Sequence, residues 1–310
     1  LVSLPNPERE WMRAPVASIE RDEVERRIGP TSEALEVLAG GLSNLNIRVG
    51  RDRVLRIYRG LDSGTSFRDE AVVGKEASLV SLTWRWLHTP KVLARGRDFL
   101  LSEYVEHTPL AETHGAAVGR ALAEIHSTTF PSTGLLRDDL SLVRPADWGP
   151  PEEDEFTARM YGHAQLADAA QVFEPELAAR IARFLDTDPI AALDAVDVPV
   201  LTHSDFKASN IHWSVTGMPL VLDWEYAWAG SRYVDIGQLL RWYPPSEFVA
   251  EFAAAYVDHG GVLVEDWRRL AETIDLCALV GLYRHPQARA TDDVVRRIIE
   301  TIKWSRGRST

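Results

Sequence analysis

The stretch Leu201–Asn210, LTHSDFKASN, constrains this chain more than any other. It sets His203, Asp205, Lys207 and Asn210 within eight residues, and the apolar run Leu220–Leu222 then ends on Asp223, followed by Trp224 and Glu225. A carboxylate and an amide five positions apart, then a second carboxylate closing an apolar run, is a spacing that phosphoryl transfer needs. One carboxylate orients an attacking hydroxyl, while the amide and the second carboxylate hold magnesium on nucleotide phosphates. Those groups lie far apart along the chain unless the backbone doubles back. The segments Ile211–Trp213 and Pro219–Leu222, around a Ser214–Gly217 turn, predict a hairpin that brings Asn210 and Asp223 together.

His203-x-Asp205-(x)4-Asn210 followed by Asp223-x-Glu225 resembles the catalytic and metal-binding segments of the aminoglycoside phosphotransferase family. That family also includes choline, homoserine and methylthioribose kinases and shares its fold with protein kinases. The order of elements matches it from about Leu38 to Leu240. The resemblance implies an α+β, bilobal, protein-kinase-like fold. A small antiparallel-sheet N-lobe with the hinge would cover residues 1–105, and a larger, mainly helical C-lobe residues 106–310. It also implies ATP or GTP as phosphate donor, Mg²⁺, and a small-molecule hydroxyl as acceptor. Asp205 and Lys207 would be catalytic, and Asn210 and Asp223 the metal ligands. Glu225 would either assist a second metal or be solvated. Lys207 is closer to the protein-kinase pattern than to that of the antibiotic kinases, and Ser204 stands where the family usually has glycine.

The first lobe is read around a loop and a cation. Gly40-Gly41 with Ser43 and Asn44 leads into a strand, and glycine lets backbone approach a phosphate. A hairpin turn at Gly50–Asp52 leads to Arg53–Tyr58, where alternation sets Val54, Arg56 and Tyr58 on one face. Arg56 takes the place of the lysine that protein kinases set at the phosphates; it is permanently charged and forks onto phosphate oxygens. A carboxylate should meet it from the following helix, drawn within Phe67–Trp86. Glu76, on the apolar periodicity, is the first candidate and Glu70 the reserve. Phe99–Val105 reads as a buried strand running into a linker, and the resemblance assigns Ser102, Glu103, Tyr104 and Val105 to the nucleotide base. Ile19–Ile28 and Ser32–Leu38 read as short helices.

In the second lobe, Thr108-Pro109 has the form of a helix start. Val118, Leu122 and Ile125 follow as one apolar stripe. His126 at the end of that helix is expected to be hydrogen-bonded and structural, Asp235 to bond the catalytic-loop backbone, and His203 to brace it. Phe130–Pro151, rich in Pro, Gly, Asp and Ser, reads as a loop, with helices at about Glu152–Asp168 and Pro175–Leu185. Tyr226, Trp228, Trp242 and Tyr243 are expected mainly in the core.

Composition narrows the partners. The net charge is −12 over 310 residues, yet residues 1–105 hold 16 basic against 15 acidic side chains, so the deficit falls on residues 106–310. An acidic second part disfavours nucleic acid and suits a cationic small molecule. The single cysteine, Cys277, sits in an apolar run, which fits a core thiol and a reducing cytoplasm. The first residues lack a continuous apolar segment after a basic start, arguing against a signal peptide, and no run reaches the length of a membrane helix. A choline, homoserine or sugar kinase remains an alternative to an aminoglycoside-type enzyme. A nucleotide-binding pseudokinase is disfavoured because every ligand position is filled. A protein kinase is disfavoured because Asp-Phe-Gly and Ala-Pro-Glu are missing.

Overall fold

The computed structural model describes residues 2–8, 20–38, 44–61, 71–143, 172–185, 198–283, 288 and 292–306. Helix α1 (Arg21–Ile28) precedes a five-stranded antiparallel sheet of β1 (Leu35–Val37), β2 (Asn44–Val49), β3 (Arg53–Tyr58), β4 (Val92–Arg95) and β5 (Phe99–Glu103). The strand order is β1-β2-β3-β5-β4. Strand alternation divides its side chains. Leu55 and Ile57 join Leu45, Ile47 and Val24 of α1 in one core, while Tyr58 packs with Val72 and Val73 of α2 (Ala71–Val80) on the other face. The β2–β3 turn forms as expected, with Gly50 at φ 67.

Two readings of this region change. Residues 32–38 are not helical, because Leu35–Val37 pairs with Ile47–Val49 as the sheet's edge strand. A neighbouring strand's hydrogen bonds outweigh the local preference of so short a segment. The helix after β3 is also shorter than Phe67–Trp86. It ends at Val80, although Leu87 beyond it is still buried.

The remainder is mainly helical, built on two small sheets. Strand β6 (His107–Pro109) pairs with β10 (Ile211–Ser214), which pairs with β11 (Pro219–Val221). Thr108-Pro109 is therefore strand, and helix α3 (Gly115–His126) begins later, after a 3₁₀ turn at Glu112–His114. The stripe Val118, Leu122, Ile125 is buried as anticipated. β7 (Gly134–Leu136) and β8 (Leu142–Val143) form a hairpin within the stretch read as loop, and β7 joins a sheet with β9 (Val200–Thr202) and β12 (Trp228–Gly230). Helix α4 (Pro175–Leu185) forms where read; the segment Glu152–Asp168 lies outside the described residues.

Helices α5 (Tyr233–Leu240), α6 (Ser246–Asp258), α7 (Trp267–Leu282) and α8 (Asp293–Arg306) complete the chain. Two glycines allow helices to cross closely here. A Cβ on Gly119 of α3 would lie 2.3 Å from Phe252 O of α6, and one on Gly237 of α5 would lie 2.3 Å from Ala271 O of α7. The second crossing fixes α5, which carries Asp235 to the loop between β9 and β10. Cys277 is buried on α7 and its thiol is pushed up to about 12 by burial, as suits a core residue. Among the described residues no helix is long and apolar enough to cross a membrane.

Candidate active site

The loop between β9 and β10 is held from below. Asp235 accepts hydrogen bonds from His203 N (2.8 Å) and Ser204 N (2.7 Å), one on each oxygen, and lies 3.1 Å from His126 Nε2. His126 also lies 2.7 Å from the Tyr256 hydroxyl, which makes it structural, as expected. Gln238, one helical turn on, accepts from Phe206 N and donates to Ser204 O. This bracing keeps Ser204 at φ 61, in the left-handed region that explains a glycine preference at this position. Serine is accommodated there, with its hydroxyl 2.9 Å from Thr202 Oγ1.

His203 is fully buried and braces the loop from inside. Its Nε2 donates to Leu222 O (2.9 Å) and its Nδ1 accepts from Asp205 N (3.2 Å). That is the bonding of a neutral imidazole. Burial holds the ring below its ordinary pKa, despite Asp235, Asp205 and Asp223 nearby.

The side chains that the motif brings together flank the open end of the β10–β11 hairpin. Asn210 Nδ2 donates to Asp205 Oδ2 (2.6 Å) and to Asp205 O (2.9 Å), which commits the amide nitrogen and leaves the carbonyl as the amide's donor atom for a cation. Leu222 N donates to Asn210 O (2.9 Å), placing Asp223 beside Asn210. Asp223 has φ 72, so its backbone turns sharply out of β11.

Arg56, reaching in from β3, is the hub of the other side. One terminal nitrogen bonds Asp223 and lies 3.5 Å from Glu225 Oε2; the other lies 3.6 Å from Glu76 Oε1. Glu76 is thus the carboxylate that meets Arg56, and Glu70 lies outside the described residues. Tyr58 donates to Glu76 Oε2 at 2.5 Å. Burial pushes the Glu76 carboxyl up to about 7 in spite of Arg56. Burial would likewise raise Asp223, but the Arg56 contact overrides it and holds Asp223 below the usual carboxylate range.

Glu225 is not solvated. It is 2% exposed and accepts a 2.8 Å hydrogen bond from Asn44 Nδ2. Asn44 therefore turns its amide toward the Asp-x-Glu segment; Gly41 and Ser43 lie outside the described residues. Two side chains that sequence reasoning did not single out complete the arrangement. Lys75, buried on α2, donates to Glu225 O (2.8 Å) and Ala227 O (2.9 Å), tying the loop after Asp223 to that helix. Glu8 lies 3.1 Å from Lys207 Nζ, which also contacts Asp205 Oδ1 at 2.8 Å. Nothing in the local sequence around either residue marks it.

At the linker after β5, Glu103 N donates to Lys91 O (2.9 Å) and Tyr104 N to Asp52 O (2.6 Å). Val105 O lies 2.7 Å from His107 Nδ1. Glu103 and Tyr104 thus have their N–H groups engaged by neighbouring backbone, and Ser102 lies within β5 between β3 and β4. Trp228 is buried, as read, whereas Tyr243 is 53% exposed and lines both of two surface cavities, of about 340 and 550 Å³. Neither cavity is lined by Asp205, Asn210 or Asp223.

Chemically, the site gathers acidic oxygens and cations. Asp223, the Asn210 carbonyl and Glu225 are hard oxygen donors, the set that Mg²⁺ prefers alongside phosphate and water. Arg56 is faced by three carboxylates, an excess of negative charge that a divalent ion would offset.

Comparison with known proteins agrees with this geometry. The model of the phosphotransferase enzyme family matches residues 34–273. No curated protein sequence matches significantly. Among solved structures, the macrolide 2'-phosphotransferase MphH from Brachybacterium faecium has 17% identity and a TM-score of 0.55, with 86% of this chain and 90% of that one covered. APH(2'')-IIa, in a ternary complex with streptomycin and ATP, has 16% identity and a TM-score of 0.59, with 93% and 97% covered. A choline/ethanolamine kinase family protein from Mesorhizobium loti has 19% identity and a TM-score of 0.58, with 89% and 88% covered. These likenesses show the α+β kinase-like fold, and the family match over most of the chain shows the enzyme class. The chain belongs to the phosphotransferase enzyme family.

Proposed function

We propose that the protein transfers the γ-phosphoryl group of ATP or GTP to a hydroxyl of a small molecule, with Mg²⁺, across a cleft between lobes spanning residues 1–105 and 106–310. The observation that carries this reading is the joining of two halves. Asp205 and Asn210 bond each other at the open end of the hairpin, where Asp223 leaves the facing strand and meets Arg56, itself paired with Glu76.

The roles follow from the geometry. Asp205, backed by the Asn210 amide, accepts the hydrogen bond of the attacking hydroxyl and takes its proton as the new O–P bond forms and the bond to the nucleoside diphosphate breaks. Its chief contribution is placement of the nucleophile. Lys207 and Arg56 face the charge that spreads over the transferring group. Asn210 and Asp223 would hold Mg²⁺, which would neutralise charge on the phosphates. Glu76 keeps Arg56 in place, and the Ser102–Val105 segment carries the base. The acidic C-terminal part favours an amine-bearing acceptor, and a fold neighbour crystallised with streptomycin and ATP is compatible with one. A choline-, homoserine- or sugar-type acceptor is the alternative.

The test is transfer of radiolabelled γ-phosphate from ATP and GTP onto a panel of aminoglycosides, macrolides, choline, homoserine and sugars. At least one acceptor should be labelled, with Asp205→Ala lowering the rate by roughly 10²–10⁴. Wild-type protein no better than Asp205→Ala on every acceptor, and on nucleotide hydrolysis, would refute the reading.

A further inference from the structure

We infer that Glu8, in the N-terminal segment, is a positioning residue of the phosphoryl-transfer site that acts through Lys207. This rests on the reading of Lys207 as a ligand of the transferring phosphate.

Residues 2–8 lie outside the stretch that the family model matches, yet they run to the catalytic loop. Leu4 N donates to Leu110 O, and Glu112 N to Val2 O, which strap the segment to the chain just ahead of α3. Glu8 is 2% exposed. Its Oε1 accepts from Arg241 Nη1 and from Trp242 Nε1, both at 2.9 Å, and its Oε2 faces Lys207 Nζ at 3.1 Å. Arg241 is anchored in turn by a bidentate pair with Asp275. One end of the carboxylate is therefore fixed by α5–α7, and the other is delivered to the catalytic loop. Buried carboxylates are costly unless paired, and here burial would raise the group but Lys207 and Arg241 hold it at about 2, fully ionised.

The consequence lies in the ammonium. A lysine head has three protons on a freely rotating stem. A single contact with Asp205 would leave it free to swing about that oxygen. Two carboxylates from different parts of the chain fix its position from two sides, Asp205 at 2.8 Å and the Glu8 charge at 3.1 Å. Lys207 keeps 14% of its side chain accessible, so a ligand can still reach it. The second carboxylate also prevents Lys207 from settling wholly on Asp205, the group that must receive the acceptor's hydroxyl.

Glu8→Gln preserves shape and can still accept from Arg241 and Trp242, but turns an amide toward Lys207. Steady-state transfer to an acceptor from the panel, or phosphate release from MgATP or MgGTP with water as acceptor, should show kcat down about tenfold with nucleotide KM within about twofold. In a Lys207→Ala background the same substitution should make no further difference. Glu8→Asp should recover part of the loss, and thermal melting of each variant checks its folding. As a readout independent of turnover, acetylation of Lys207 by acetic anhydride, followed by peptide mass spectrometry, should be several-fold faster in Glu8→Gln. Unchanged kcat in Glu8→Gln, or an equal loss with and without Lys207, would overturn the inference while leaving the kinase reading intact. Full activity in Lys207→Ala would instead remove the role given to Lys207, and the inference with it.

Discussion

Asp235→Asn is the substitution whose consequences the structure defines most closely. The Asp235 carboxylate is completely buried and receives three groups: His203 N and His126 Nε2 at one oxygen, Ser204 N at the other. Asparagine is nearly isosteric but has one acceptor and one NH₂ group. Its better orientation keeps the oxygen toward His203 and His126 and sets NH₂ against Ser204 N–H. That removes one charge-assisted hydrogen bond and leaves two donors facing each other. A lost charge-assisted bond and a stranded buried donor each cost roughly 1–3 kcal/mol, so the expected loss is about 3 kcal/mol. Urea equilibrium unfolding would measure it from the midpoint at unchanged slope. Activity should fall further than stability explains, because Ser204 loses the contact that holds its left-handed backbone, and Asp205 is the next residue. A destabilisation under about 1 kcal/mol, with kcat unaffected, would refute the argument that Asp235 is what shapes this loop.

Two further outcomes can be checked on the same footing. Glu76 is raised by burial from 4.5 to about 7, so between those values the folded state holds a proton that the unfolded state has released. Its contribution is therefore lost as pH rises from 4.5 through 7, and wild-type stability relative to Glu76→Gln should decline by about 3 kcal/mol over that window and stay level above it; an opposite slope in paired urea titrations would contradict the assignment. Lys75→Met strips Glu225 O and Ala227 O of the Lys75 ammonium and should cost about 2 kcal/mol in urea unfolding, with weaker MgATP or MgGTP binding followed by tryptophan fluorescence.

What could be read from the sequence was what is local in it. The β9–β10 loop and the β10–β11 hairpin are encoded in some twenty consecutive residues, and the β10–β11 pairing joins near neighbours, so spacing located Asp205, Asn210 and Asp223, while the bracing of the loop by Asp235 and Gln238 comes from farther along the chain. Arg56 and Glu76 followed from strand phase and helix periodicity. Strands β1 and β6 were misread because three-residue segments carry almost no intrinsic preference, and their partners, β2 and β10, decide their conformation. Glu8 and Lys75 were beyond reach for a different reason. Each meets its partner across a long stretch of chain, Glu8 reaching an arginine 233 residues away, and no periodicity reports such a pairing. Glu225 was ambiguous between solvated and functional until Asn44 was seen to bond it.

The short segment 223–227 receives an arginine from β3, an asparagine from β2 and a lysine from α2. The five-stranded sheet and its helix thus meet the remainder of the chain at that stretch, as well as where Ser78 donates to Asp138 O and Leu79 and Val80 join the larger core, and the stretch also carries the carboxylate proposed for the metal. A divalent ion at Asp223, as proposed, would compete with the Arg56 guanidinium for that carboxylate. Arg56 has further partners within reach, Glu76 Oε1 at 3.6 Å from one terminal nitrogen and Glu225 Oε2 at 3.5 Å from the other, so a guanidinium shifted from Asp223 would stay paired. A lysine has a single nitrogen and cannot divide itself in this way. The arginine at position 56 is thereby shared among Asp223, Glu76 and the buried Glu225, and under the proposed function this shared pairing would let nucleotide and metal enter without leaving a buried charge alone.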